Sequence, residues 1–184
     1  MTLQDAVRTR RSIRRYDGRS IPDEVLVEVL DLARHAPSSM DGQPCSFVVV
    51  HDPAIKARIV ALKNAACPPG KRAFPADFML DAPVVVVICC DRRRANDRLR
   101  ENGVLVTGHL LLAAHAAGLS GVYLSAYESH GDALLRDLTS LLRLPEFLEP
   151  VTLVPIGFPA EAARPKALRP LDDLVHHDRY SDLA

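Results

Sequence analysis

The chain lacks an excess of either charge, because its 23 lysines and arginines are balanced by 23 aspartates and glutamates. A general nucleic-acid or membrane-surface binder needs a positive excess, so we expect neither kind of partner. The chain also lacks an apolar run of roughly 18 residues and an apolar signal-peptide core, which predicts no membrane span. These absences favour a protein of the reducing cytoplasm.

Motifs for hydrolysis, metal chemistry and nucleotide hydrolysis are absent as well. The sequence has no Ser-His-Asp, HExxH or Walker pattern. His109 and His115 are six residues apart on a predicted helix, so core or interface roles are favoured over a metal pair. The cysteines have neither CxxC nor zinc-ligand spacing, and we expect no metal site. Nothing in the sequence pairs Cys45 with a base, and Cys89 and Cys90 end an apolar run as expected buried residues.

Helix and strand patterns alternate along the 184 residues, which predicts a single domain over residues 1–184. We expect an α+β layer structure with a sheet of four or five strands. Residues 64–82 contain three prolines and a glycine and predict a loop or lid. The predicted strands are Ser46–His51, Val84–Cys90, Gly121–Ser125 and Pro150–Gly157. The predicted helices cover Val25–Ala33, Asp52 to Leu62, Asn102–Ala117, Asp132–Leu142 and, at the C-terminus, Leu171–Val175.

The predicted helix Asn102–Ala117 is apolar on nearly every face. A helix with this pattern must be buried on all sides. In so short a chain, a second subunit is a natural place to bury it.

Two segments carry the main functional signal. Residues 10–16 (RRSIRRY) place four arginines and a serine within six positions. Clustered guanidinium groups beside a hydroxyl bind phosphate through bidentate, charge-assisted hydrogen bonds. Residues 36–44 (APSSMDGQP) follow an amphipathic helix and are small and polar. Together the segments predict a site for a phosphorylated cofactor, while the arginines alone would also suit a solvated surface or a weak nucleic-acid patch.

These segments, with two further ones, resemble the FMN-dependent nitroreductase family over nearly the whole chain. The further segments are residues 109–124 (HLLLAAHAAGLSGVYL) and residues 144–161 (LPEFLEPVTLVPIGFPAE), which lead to residues 164–180 (RPKALRPLDDLVHHDRY). The resemblance implies a three-layer α/β/α nitroreductase-like fold with a central mixed, mainly antiparallel sheet. It also implies a domain-sharing homodimer with two FMN sites at its interface.

The resemblance assigns cofactor contacts to several groups of residues. The FMN phosphate, ribityl chain and pyrimidine edge would be held by Arg10, Arg11, Ser12 and Arg14. A basic residue near the C-terminus would close over the phosphate, with Arg169 the first candidate and Lys166 the second. The partner subunit would supply the residues that face the isoalloxazine ring, namely Pro37, Ser38, Ser39 and Gln43. The backbone of Leu124, Ser125 and Ala126 would lie near flavin N5.

Two positions depart from the family pattern. Asp41 stands where the family usually has asparagine, and an ionised carboxylate can accept from flavin N3–H but cannot donate to a carbonyl. It would also repel the charge of reduced flavin and lower its potential. Cys45 stands where the family often has a large aromatic residue, so the pocket would be wider. The substrate pocket is predicted to include Cys45, Phe74, Tyr127 and Glu128, although the last two also suit an ordinary loop.

The resemblance implies an oxidoreductase in which NADH or NADPH reduces FMN and a small-molecule acceptor then takes the electrons. The acceptor would be a nitroaromatic, quinone or activated alkene, in a ping-pong mechanism. Since the flavin itself carries hydride transfer, no protein side chain needs to be a nucleophile or fixed acid, and we assign no catalytic residue. The alternatives are a flavin-binding or storage protein with little turnover, or a specialised activity of the same fold such as flavin fragmentation, dehalogenation or azoline oxidation.

Overall fold

A computed structural model describes residues 1–67, 75–127 and 132–180. Within these ranges the sheet order is β1-β2-β5-β3, and β4 also pairs with β5. All the strand pairs are antiparallel, and Ser12 adds a parallel bridge to Gly121 outside β3. The strands are β1 (Cys45–Val50), β2 (Val84–Asp91), β3 (Ser120–Gly121), β4 (Leu124–Ser125) and β5 (Leu148–Gly157), and the helices are α1 (Leu3–Thr9), α2 (Asp23–Ala33), α3 (Pro53–Ala65), α4 (Leu99–Ala116) and α5 (Ala133–Leu141).

The valine-rich strand β2 lies in the centre of the sheet and is buried on both faces. Val84, Val86 and Ile88 pack against α2 and α4 on one face. Val85, Val87 and Cys89 pack against α3 and α5 on the other. Because both faces are covered, β2 reads as a continuous apolar run rather than an alternating one. The expected three-layer α/β/α arrangement is confirmed.

The start of α3 and the end of α4 were predicted correctly from local sequence signals. The Asp52 carboxylate accepts from the backbone N–H groups of Ala54 and Ile55 at 2.7 and 3.3 Å, with Pro53 in the first helical turn. Gly118, just beyond α4, has a φ of 78°, which is the left-handed conformation that ends helices at little cost with glycine.

The prediction of a continuous strand over Gly121–Ser125 is wrong. The chain forms the short strands β3 and β4 in the same register against β5, with Val122 opposite Pro155. Pro155 has no N–H to donate, so the ladder is interrupted there. The predicted C-terminal helix is also wrong in form, since residues Leu171–Asp173 make a single 3₁₀ turn. Leu171 and Leu174 remain exposed, so packing against the rest of the chain does not stabilise a longer helix here.

The predicted loop or lid over residues 64–82 is partly helical. Helix α3 continues to Ala65, and Asp77–Leu80 form a 3₁₀ turn with Met79 fully buried. Residues 68–74, including Phe74, lie outside the described residues.

Helix α4 packs on α2, β2 and β5 but is not covered on every side. Val104 and Leu105 are each 44% exposed on it. The helix therefore leaves an apolar strip open in the single chain. No helix among the described residues is long and apolar enough to cross a bilayer.

Candidate active site

The arginine segment lines a cleft at the β3 edge of the sheet. Ile13 is buried, its N–H donates to the Gly121 carbonyl at 3.3 Å, and its own carbonyl accepts from the Tyr16 hydroxyl at 2.8 Å. These contacts fix the backbone and leave the polar neighbours of Ile13 facing outward. The cleft has a volume of about 610 Å³ and is lined by Arg10, Arg11, Ser12, Ile13, Arg14, Glu161, Ala162, Arg164, Pro165 and Lys166.

The charges of this cleft suit an anion. Arg10, Arg11, Arg14, Arg164 and Lys166 supply five cationic side chains against one carboxylate, that of Glu161. The carboxylate is already engaged, because it accepts from the backbone N–H groups of Arg14 and Arg15 at 2.6 and 3.2 Å. The excess of guanidinium and ammonium groups is the chemistry that binds a phosphate.

Arg11 is held rigidly within the cleft. Its Nε donates to the Arg164 carbonyl at 2.9 Å, and its Nη1 donates to the carbonyls of Arg8 and Arg10, each at 2.8 Å. A guanidinium fixed in this way presents its remaining N–H groups in one orientation. Glu161 and Arg164 belong to this site and were missed from the sequence, although Glu161 ends the fourth family segment.

The two C-terminal candidates for the phosphate are placed differently. Lys166 lines the cleft. Arg169 does not line it, and its Nη2 instead donates to the Asp173 carbonyl at 3.1 Å. The geometry therefore favours Lys166.

The loop of residues 36–44 is tightly bent before β1. Met40, Asp41 and Gln43 have φ values of 49°, 52° and 46°, which non-glycine residues seldom adopt. Such strain persists only where the surroundings impose it, and it concentrates at functional sites. Pro37 is exposed, and Ser38 and Ser39 are half-buried.

Hydrogen bonds hold this loop in its bent form. Within it, the Gln43 N–H donates to Ser38 Oγ at 3.0 Å and Gln43 Nε2 donates to Asp41 Oδ1 at 3.0 Å. From α4, the fully buried Asn102 accepts from the Ser39 N–H at 2.9 Å through Oδ1. Beyond β2, the Arg94 Nε donates to the Gly42 carbonyl at 2.9 Å.

The cleft and the loop lie at diagonally opposite corners of the sheet. The loop enters β1 at Cys45, which stands opposite Cys90 and, one strand further, Glu149 at the start of β5. Ser12 lies beyond β3, whose Gly121 stands opposite Ile156 at the end of β5. Four strand spacings and seven residues along β5 separate the corners by roughly 30 Å. One chain cannot bring the two segments together.

Strand β4 lies on the cleft side of β5. Leu124 and Ser125 are half-buried, and the Ser125 carbonyl accepts from Lys63 Nζ at 2.6 Å. Tyr127 follows, with the Arg100 guanidinium 3.9 Å from its ring centroid. The Tyr127 hydroxyl is buried without a hydrogen-bond partner among the described residues, and burial raises its pKa. Glu128 lies outside the described residues.

Cys45 lies at the base of the loop and is half-buried. Its Sγ is 3.1 Å from Cys90 Sγ. No sequence pattern indicates this partner, because the contact depends on the register of β1 with β2.

Another cavity, of about 560 Å³, is less suited to an anion although it contains Arg92, Arg100 and Arg136. Three carboxylates also line it, and the nearly buried Glu149 forms an ion pair with Arg92. Its charges balance, whereas those of the cleft at residues 10–14 do not.

The fold and the arginine-lined cleft define an α/β/α protein with a cation-rich cleft at the edge of its sheet. The pattern of the Nitroreductase family matches residues 7–158, and the chain belongs to this family. The predicted resemblance is thus confirmed. The match includes residues 10–16, the loop 36–44 and strands β4 and β5.

Proteins similar to this chain carry the names of different activities. The chain is 31% identical over 181 residues to an iodotyrosine deiodinase of Haliscomenobacter hydrossis, covering 84% of this chain and 78% of that protein. It is 26% identical over 190 residues to an FMN reductase [NAD(P)H] of Bacillus subtilis, covering 92% and 71%. A solved structure of oxidized iodotyrosine deiodinase bound to FMN and 3-iodo-L-tyrosine matches with a TM-score of 0.79 at 25% identity, covering 97% and 100%.

Proposed function

We propose that this protein is an FMN-dependent oxidoreductase that uses NADH or NADPH to reduce a small, flat organic acceptor by a ping-pong mechanism. The acceptor classes are nitroaromatics, quinones and activated alkenes. The observation that carries the proposal is the cleft with five cationic side chains, which belongs to a chain of the nitroreductase family. FMN and NAD(P)H, the expected cofactors, agree with the name of the Bacillus subtilis relative.

The residues present fit FMN at the cleft. Arg10, Arg14 and Lys166 would hold the phosphate beside the fixed guanidinium of Arg11, and Ser12 would offer its exposed hydroxyl. The backbone of β4 lies along the same edge of β5 and would lie beside the ring. FMN, when bound, supplies hydride transfer, so the protein has to bind, orient and exclude water.

The other side of the ring would come from a second copy of the chain. The loop 36–44 lies roughly 30 Å from the cleft across the sheet. One FMN is shorter than this diagonal, so both segments can touch one flavin only in a homodimer. The open strip of Val104 and Leu105 on α4 offers an apolar surface for such an assembly. Sedimentation of the FMN-loaded protein as a monomer would contradict this arrangement.

The main experiment is anaerobic reduction of the purified yellow protein by NADH and by NADPH. The proposal predicts bleaching of the flavin absorbance, reoxidation by a nitroaromatic or quinone, and parallel double-reciprocal plots. Bleaching by dithionite but by neither nicotinamide would favour the storage alternative. A colourless protein that cannot be reconstituted with FMN would overturn the proposal.

A matched pair of variants tests the cleft itself. Lys166→Ala removes a cation that lines the cleft, whereas Arg169→Ala removes one that does not. We expect Lys166→Ala to weaken FMN binding about tenfold, corresponding to about 1.4 kcal/mol, and Arg169→Ala to have a smaller effect. A larger loss of FMN affinity in Arg169→Ala than in Lys166→Ala would place the phosphate outside this cleft.

The departure from the family pattern at Asp41 concerns the midpoint potential of the bound flavin. Its carboxylate is exposed and accepts only from Gln43 within the loop. Placed beside the ring of a second copy's flavin, it would oppose the negative charge of reduced FMN. Asp41→Asn should therefore raise the flavin midpoint potential, and an unchanged or lower potential would refute this electrostatic argument.

Reductive dehalogenation is the second candidate, because a relative at 31% identity is an iodotyrosine deiodinase. In this reaction an aryl iodide takes two electrons and a proton and gives the arene and iodide. Dithionite-reduced protein mixed with 3-iodo-L-tyrosine would release iodide if this activity is present. Iodide release without nitroaromatic reduction would favour this candidate over the main proposal.

We also propose a cytoplasmic location, where NAD(P)H is supplied.

A further inference from the structure

Two cysteines stand directly opposite each other at the end of the sheet that carries the loop 36–44. Cys45 begins β1 and pairs in register with Cys90 of β2, and their Sγ atoms are 3.1 Å apart. The Asp91 N–H donates to the Pro44 carbonyl at 2.9 Å, which makes Cys45 and Cys90 a non-hydrogen-bonded pair. In such pairs the Cα atoms are about 4.5 Å apart, within the range of about 4.4–6.8 Å that a disulfide requires.

The two thiols differ in access and acidity. Cys45 is half-buried, whereas Cys90 is fully buried. The hydrogen bond from Cys90 lowers the pKa of Cys45. The same hydrogen bond, together with burial, raises the pKa of Cys90. Cys45 is therefore the more acidic thiol and the one that an oxidant can reach, and Cys90 is the thiol that follows.

Cys89 and Cys67 do not compete for this role. Cys89 points to the opposite face of β2, into the core against α3 and α5, and burial raises its pKa to about 12. Cys67 lies just beyond α3, outside the strands, and has no register partner in the β1–β2 ladder. Among the described cysteines, the pair at the base of the loop is thus distinguished by geometry as well as by access.

We propose that Cys45 and Cys90 are a peroxide-responsive dithiol that closes into a cross-strand disulfide. The Cys45 thiolate attacks hydrogen peroxide, the O–O bond breaks, and a sulfenic acid and hydroxide form. The Cys90 sulfur then attacks the sulfenic sulfur, the S–O bond breaks, and hydroxide leaves and takes up the thiol proton as water. Two thiols are oxidised to one disulfide, and one peroxide is reduced to two waters.

The disulfide would form where the loop 36–44 joins the sheet. Pro44 and Asp91, the neighbours of the two cysteines, are already joined by a backbone hydrogen bond. Oxidation would therefore tie the base of the loop covalently to β2 without moving the strands out of register. It would also remove the half-buried Cys45 thiol from the predicted acceptor pocket.

The test is thiol mapping of the protein as purified. The reduced protein is treated with hydrogen peroxide, quenched in acid, unfolded, alkylated and digested for mass spectrometry. We expect a cross-linked peptide pair containing Cys45 and Cys90, about 2 Da lighter than the sum of the two thiol peptides and reversed by dithiothreitol. Four fully alkylated cysteines after treatment, or a cross-link between other cysteines, would overturn the proposal.

Variants separate the two steps. Cys90→Ser should stop the reaction at a Cys45 sulfenic acid that dimedone traps, and Cys45→Ser should leave Cys90 reduced. Cys67→Ser is the matched control and should form the cross-link as the unmodified chain does. A Cys45→Ser protein in which Cys90 is oxidised at the normal rate would refute the assigned order. Because the map of the unmodified chain needs no substitution, the test stands even if Cys90→Ser folds poorly.

Discussion

Gly42 is the position in the loop 36–44 where one added methyl group has the clearest consequence. A Cβ at this residue would lie 2.1 Å from the Arg94 carbonyl oxygen, 2.9 Å from Asn96 Nδ2 and 3.2 Å from the Ser39 carbonyl oxygen. The nearest of these atoms belongs to the backbone, so no side-chain rotation can relieve the contact. Gly42→Ala must therefore push the loop away from Arg94 by roughly 0.9 Å to reach a 3.0 Å contact.

The size of the effect follows from the hydrogen bonds that this shift disrupts. Arg94 Nε donates to the Gly42 carbonyl at 2.9 Å, Asn96 Nδ2 donates to the Ser39 carbonyl at 3.0 Å, and the Gly42 N–H donates to the same carbonyl at 2.9 Å. At about 1 kcal/mol each, their loss lowers the free energy of unfolding by about 2–3 kcal/mol. In a chain of this length the melting temperature should fall by about 4–12 °C.

The assay combines urea unfolding without FMN with an FMN titration followed by flavin fluorescence. We expect a displaced loop to bind FMN at least about tenfold more weakly, since a misplacement of about 1 Å is costly at a reacting site. Ser46→Ala, at an exposed neighbour of the loop, serves as the control and should match the unmodified protein. A Gly42→Ala protein within about 0.5 kcal/mol of normal stability and with normal FMN affinity would refute the reasoning.

Three further predictions concern two buried polar groups and one half-buried histidine. Asn102→Ala leaves the Ser39 N–H and the Ala95 carbonyl without their partner, so urea unfolding should show a loss of about 2–4 kcal/mol; a loss under about 0.5 kcal/mol would contradict it. Thr107→Val leaves the Thr152 hydroxyl, which lies 2.7 Å from Thr107 Oγ1, without an acceptor and should lower the free energy of unfolding by about 1–3 kcal/mol. Adding Thr152→Val should restore most of this stability, and additive losses in the double variant would exclude the coupling. Burial, and after it the charges of Arg10 and Arg11, lowers the pKa of His115 from its usual 6.5, so the free energy of unfolding should be constant above about pH 6.5 and fall as the pH drops below that value. His115→Gln should flatten this decline, and an unchanged pH profile of stability would refute the assignment.

The fold was largely predictable because its signals are local. The valine run of β2 and the Asp52-Pro53 pair indicate a strand and a helix start without any long-range information. The errors arise where a distant residue decides the outcome. Pro155 of β5 interrupts the strand beside it, and no feature of Gly121–Ser125 itself announces this break.

The lining of the candidate site was likewise predictable only where its residues are neighbours in sequence. Arg10, Arg11, Ser12 and Arg14 are neighbours in sequence, and the structure brings them together in one cleft with Lys166. Glu161 joins them only because the chain returns along this segment after β5, with the Ala160 N–H donating to the Arg15 carbonyl at 2.8 Å. The Cys45–Cys90 contact is likewise a product of strand register, which composition and spacing do not reveal.

The diagonal separation of the cleft and the loop links cofactor binding to assembly. If each flavin touches the cleft of one copy and the loop of another, its binding energy is available only to the paired state, so FMN stabilises the dimer and dimerisation raises FMN affinity by the same factor. In that arrangement the strained residues Met40, Asp41 and Gln43 would shape the surface that one copy presents to the flavin of the other. Asn102 joins that loop by a hydrogen bond to α4, the helix whose Val104 and Leu105 remain exposed, so a partner that covers the open apolar strip would also lie near the loop.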